Sequence, residues 1–120
     1  MRVYIAGPMR GYPLYNFPAF DAAAEALREA GHDPINPADL DRARGVDERT
    51  DPLPPGFIRE ALREDLLAIL DEAEAIALLP GWMASRGAVI EVALARAIEI
   101  PVVDVNDLSA LGREGEADHG

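Results

Sequence analysis

In Ser85-Arg86-Gly87-Ala88-Val89-Ile90-Glu91, a glutamate lies six positions after a serine, and Gly87, Ala88, Leu94 and Ala95 are its i±3 and i±4 neighbours. On a helix these residues share a face. Glu91 is then a carboxylate among small and apolar side chains, where burial without a partner is expensive. Its setting is open to a salt bridge to Arg96 or Arg10 or a solvent-facing position on a helix end, or else to a carboxylate that faces a ligand. The last is the better account, because buried carboxylates are rare without a reason. Pro80-Gly81 precedes this helix and Ser85 stands where an N-cap belongs. The first N–H groups can be capped by the serine or shared with an anion.

Gly7-Pro8-Met9-Arg10-Gly11 is the second candidate. Its glycines let backbone approach a ligand, and Arg10 carries a forked donor suited to phosphate or carboxylate. The Gly-Lys-Ser/Thr ending of a Walker loop is missing, and glycines that serve only the turn are an equal alternative. Asp65 lies three residues after Leu62 and four before Ile69, at the margin of a helical apolar stripe. Spacing alone allows it equally to be a surface acid paired with Arg63 or Arg59. Tyr4 falls in an apolar strand, where a buried phenol needs a hydrogen-bond partner. Trp82, Met83, Tyr12, Tyr15 and Phe17 could form a stacking wall, although such residues more often cover the core.

The elements that must position these groups alternate. Residues 2–6 read as a central strand ended by Gly7-Pro8, and the apolar spacing from Phe17 to Ala30 predicts a helix stopped by Gly31. His32 to Ile35 is a short edge strand, bounded by prolines. Residues 36–56, rich in proline and charge without a period, read as a long loop of the kind that forms lids. A helix from Phe57 to Ala73, a buried strand from Ala75 to Leu79, a helix from Arg86 to Ile98 and a strand at Pro101 to Val103 follow. This alternation predicts a small three-layer α/β fold of flavodoxin-like or Rossmann-like type, with a short parallel sheet of about four strands. Ligands in such folds sit beyond the C-terminal strand ends, where strand order reverses. The domain is expected to span residues 1–106, followed by an acidic flexible tail at 107–120.

Composition narrows the function classes. The 120 residues suit one domain, and a net charge of −11 repels polymeric nucleic acid and anionic membrane at long range. A small nucleotide is compatible with that charge, since a few N–H groups and one arginine make a locally positive pocket. The chain lacks cysteine and has two histidines, so a metal site is not expected. With no apolar stretch of spanning length and no secretory pattern, a cytoplasmic location is expected.

Tyr4-Ile-Ala-Gly-Pro-Met-Arg-Gly11, Asn16-Phe17-Pro18-Ala19-Phe20, Ala30-Gly31-His32, Asn36-Pro37-Ala38 and Ser85-Arg86-Gly87 with Glu91, taken in order, resemble an uncharacterised phage and bacterial domain. This is domain of unknown function 4406, grouped with the nucleoside 2-deoxyribosyltransferases, and the likeness runs from about residue 2 to residue 105. The wider superfamily has a tyrosine three residues before the first-loop glycine and a catalytic glutamate early in a central helix. Tyr4 with Gly7, and Glu91, match those places. Its monophosphate N-glycosidases add an Arg-Gly pair, a serine six residues before the glutamate, and an Asp-Leu acid, matched by Arg10-Gly11, Ser85 and Asp65-Leu66. The segment from Asp39 to Pro55 has no clear counterpart there, and Pro80-Gly81-Trp82-Met83 makes a longer approach to Ser85.

The resemblance implies cleavage or transfer at the N-glycosidic bond of a (deoxy)nucleoside or its 5′-monophosphate, without a cofactor. Glu91 would be the nucleophile, Asp65 the proton donor and Tyr4 the group that holds Glu91. Gly7, Met9, Arg10, Gly11, Trp82, Ser85, Arg86 and Gly87 would bind the substrate. A module that binds and sequesters a nucleotide without reacting is the alternative. A homodimer or higher homo-oligomer is expected, with apolar residues 88–98 at its interface.

Overall fold

The computed structural model describes residues 1–49, 53 and 55–111. Four strands form one parallel sheet in the order β2-β1-β3-β4: β1 (Arg2–Ala6), β2 (Asp33–Ile35), β3 (Ala75–Leu78) and β4 (Val102–Asp104). β1 pairs with both β2 and β3, so the chain reverses direction across the sheet between these neighbours. Helices α1 (Phe17–Glu29), α3 (Phe57–Asp71) and α4 (Arg86–Ala97) connect the strands.

Alternation along β1 assigns the two faces. Val3 and Ile5 pack with Phe17, Phe20 and Leu27 of α1. Tyr4 and Ala6 turn the other way, against Ile69 of α3 and Ala88, Val92 and Ala95 of α4. The result is the three-layer α/β arrangement that the strand and helix pattern predicts. Alanine at 88 and 95 on α4 gives the helix a small inner surface, and both are buried.

Two expectations fail. The stretch 36–56 is not one long loop, because α2 (Pro37–Ala43) occupies its beginning. Asn36 caps that helix by accepting from the Ala38 N–H at 3.0 Å, and Pro37 takes the first turn, where a missing N–H costs nothing. Proline there starts a helix, and counting prolines as breakers hides it. Arg42 ties α2 to α1 by donating to Asp21 at 2.8 Å while lying over the Phe17 ring at 4.8 Å. The acidic tail also does not begin at 107: Leu108–Leu111 forms a 3-10 turn whose Leu111 is buried in the α1-side core. The remainder of that expected tail, 112–120, lies outside the described residues.

Candidate functional site

Where β1 and β3 part, a cavity of about 580 Å3 opens beyond their C-terminal ends, the position at which strand-order reversal leaves a crevice. Its floor is built from four elements. β1 contributes Tyr4, α2 Asp41, α3 Asp65, and α4 Glu91.

Glu91 is 6% exposed. Tyr4, fully buried on the α4 side of β1, donates its hydroxyl to Glu91 Oε2 at 2.7 Å. No cation among the described residues pairs with this carboxyl, and neither Arg96 nor Arg10 reaches it. Burial therefore pushes the Glu91 carboxyl up to about 8; the Tyr4 hydrogen bond opposes the shift, and the charges of Asp65 and Asp41 add to it. The Tyr4 phenol is itself raised well above its ordinary range by burial and by Glu91, so it remains a donor.

Asp65 has a different environment. Arg44, the residue that ends α2, donates through Nη2 to Asp65 Oδ1 at 3.2 Å and through Nε to Glu64 Oε2 at 2.6 Å, and its Nη1 bonds Asp41. Burial raises Asp65 to about 6, with Arg44 opposing and Asp41 reinforcing the shift. Asp41 is raised for the same reason, again with Arg44 against it. The partners that spacing suggested for Asp65, Arg63 and Arg59, are not the ones it has.

At the mouth, α4 begins with the expected cap: Ser85 Oγ accepts from the Ala88 N–H at 3.2 Å. Arg10 and Arg86 both line the cavity, are exposed, and pair with no acid among the described residues. A Cβ built on Gly87 would meet nothing within 4 Å, so protein packing does not require glycine there. Gly7 differs, because a Cβ on it would sit 2.6 Å from that of Leu79. It allows β1 and the end of β3 to approach as it borders the cavity. Tyr12 and Tyr15 form part of the wall. Tyr15 does so from a left-handed run with Leu14 and Asn16, whose φ values are 53°, 54° and 60°. Such backbone costs about 1 kcal/mol per residue and is held by Asn16 donating to the Pro8 carbonyl at 2.8 Å.

The structure thus brings together Tyr4, Gly7, Met9, Arg10, Asp65, Ser85, Arg86, Gly87 and Glu91. It leaves out two residues assigned to substrate. Gly11, a turn residue at φ +82°, is not among the lining residues although Arg10 and Tyr12 on either side of it are, and Trp82 packs against the α4-side core. Phe17 lies in the α1 core and Met83 projects outward, so neither joins a stacking wall. Asp41 and Arg44 escaped notice in the sequence. Their signal was present in Asn36-Pro37, a cap followed by a first-turn proline, which puts residues 41 and 44 one helical turn apart.

The model of the family described as Domain of unknown function (DUF4406) matches residues 1–104. The chain belongs to this family. The match covers β1 to β4 and α1 to α4 of the DUF4406 chain, and with them Asp41, Asp65 and Glu91 of the cavity floor. A comparison with curated proteins finds no match. Among the described residues, no helix is long and apolar enough to cross a membrane.

Proposed function

We propose that this chain is an N-glycosidic bond hydrolase or transferase that acts on a (deoxy)nucleoside or its 5′-monophosphate through Glu91. One observation carries the reading: a buried glutamate that has no cationic partner among the described residues, held by a phenol, borders a nucleotide-sized cavity beside the N-terminus of its own helix. The resemblance to the nucleoside 2-deoxyribosyltransferases supports it.

In the first step Glu91 Oε attacks C1′, and the bond from C1′ to the base nitrogen breaks with its electron pair going to the base. Asp65 supplies the proton that the base takes. In the second, water or another base attacks C1′ from the opposite side, the ester bond breaks and Glu91 is regenerated as a carboxylate. Asp65, now ionised, receives the proton of the incoming nucleophile. Tyr4 keeps Glu91 aimed. Arg10, Arg86 and the first N–H groups of α4 take a 5′-phosphate.

The resting order of protons is the reverse of the one this step needs. Glu91 titrates at about 8 and Asp65 at about 6. That observation favours a second reading, a module that binds a nucleotide without cleaving it.

The test is incubation with a panel of nucleosides and 5′-monophosphates, with chromatography for free base. Glu91→Gln is expected to abolish release and retain binding; release that persists in this variant rejects the nucleophile. Calorimetric binding with no base released by the unaltered protein selects the second reading. The proposal includes a homodimer, because α4 exposes Val89, Ile90 and Ile98; light scattering decides it.

A further inference from the structure

Arg44 is a half-buried cation bonded to one of the floor carboxyls, yet it does not line the cavity. Its side chain is 12% exposed, and its donors go to Asp41, Glu64 and Asp65. Only Glu64 of these is at the surface. A guanidinium buried for stability alone has little to recommend it, since a desolvated ion pair is often no better than apolar packing. What its fork does here is specific. It spans one carboxyl from α2 and one from α3, both of which line the cavity, and takes a single oxygen, Oδ1, of each.

Charge at the floor is unbalanced. The groups that face it are Tyr4 from β1, Asp41 and Arg44 from α2, Glu64 and Asp65 from α3, and Glu91 from α4, with Arg10 and Arg86 farther out at the mouth. Three carboxyls, Asp41, Glu64 and Asp65, therefore share one guanidinium, and Glu91 has no ion pair with it. A carboxyl beside a guanidinium ionises more readily, and an ionised carboxyl makes its neighbour hold its proton. Arg44 favours the charge on Asp65, and the charged Asp65 favours the proton on Glu91.

We propose that Arg44 is a positioning residue of this site: its guanidinium fixes the Asp65 carboxyl at the cavity wall and decides whether the resting proton sits on Asp65 or on Glu91. The catalytic meaning rests on the N-glycosidic reading above; the proton assignment does not. In the reaction, Arg44 must share or loosen its hold on Asp65 for that carboxyl to carry a proton to the base.

Carbon-13 titration of the side-chain carboxyls in the full chain tests this without substrate. In Arg44→Met the Asp65 midpoint is expected to rise from about 6 by roughly one unit or more, toward that of Glu91, while the Glu91 midpoint, reached with Asp65 already ionised, holds near about 8 or rises. Arg44→Lys, which restores the charge but not the fork, is expected to bring both midpoints back toward the parent values while base release stays slow. A purely structural role predicts lower melting temperatures in both variants with midpoints unmoved in the folded protein, and that result overturns the proposal. If Arg44→Met does not fold, Arg44→Gln serves, since it removes the charge and keeps a polar head. There too the Asp65 midpoint must rise, and an unmoved one overturns the proposal. Should the unaltered protein release no base from any nucleotide, the glycosidic reading fails, and the titrations still decide what Arg44 does.

Discussion

Glu91 and Asp65 border one cavity, the first buried and the second half-buried, and they are kept by opposite means. The β1 and α4 half is dry: Glu91 has a phenol as its partner, and the core packed around that phenol is alanine, valine, isoleucine and leucine. The α2 and α3 half is ionic: Asp65 shares Arg44 with Asp41 and Glu64. Desolvation acts on both carboxyls, and the guanidinium offsets part of it on one side only. Glu91 is therefore raised to about 8 and Asp65 to about 6. The difference shows that burial alone does not set a carboxyl's proton affinity; the nearest charge decides which of two similar groups ionises first.

The largest way to break this contrast is to remove the ionic half's acid. Asp65→Asn is expected to lower base release about a hundredfold or more, by loss of the proton donor. The Glu91 midpoint should fall below about 8 once its ionised neighbour is gone. A carbon-13 titration that shows Glu91 unmoved would separate the two halves altogether. Tyr4→Phe acts on the dry half. Losing a hydrogen bond to a charged group is worth about ten- to a hundredfold in rate, and the Glu91 midpoint should climb above about 8. Rate measured against pH is expected to give a bell with limbs near 6 and 8 in the unaltered protein, and the upper limb should move in this variant.

Stability offers a smaller effect. The Glu91 carboxyl is protonated in the folded chain and ionised in the unfolded one between its ordinary 4.5 and about 8. The unfolded state thus binds fewer protons across that window, so stability is complete below it and declines as pH rises, by about 1 kcal/mol per pH unit. Glu91→Gln should remove this contribution and melt above the unaltered protein at the upper end of the window; parallel melting curves against pH would disprove the burial argument. The smallest expected effect compares two glycines. Gly7→Ala, facing Leu79 at 2.6 Å, should destabilise by about 1–3 kcal/mol. Gly87→Ala, with open space before it, should leave the melting temperature unchanged or higher while weakening nucleotide binding a few-fold by calorimetry.

The alternation of strands and helices, the cap at Ser85 and the exceptional setting of Glu91 were legible in the residues, because each depends on local spacing. Periodicity says which way a side chain faces on its own element, and Glu91 had small neighbours on every side it could show. Tyr4 was legible as a buried phenol in need of an acceptor, and only the pairing of β1 with β3 and the packing of α4 over them made Glu91 that acceptor. α2 was missed because its seven residues are too short for a period to show, and its first proline resembles a break.

The sequence by itself determined the layered architecture and the presence of one isolated carboxylate at a helix start, since both follow from patterns within single elements. Tertiary structure alone decided that Asp65 would meet Arg44 and Asp41 instead of Arg63 or Arg59, and that Trp82 and Gly11 would stay outside the cavity. The physical reason is range. Hydrophobic spacing acts along the chain, whereas desolvation and charge act through space, and their balance exists only once four elements have closed around the same hollow.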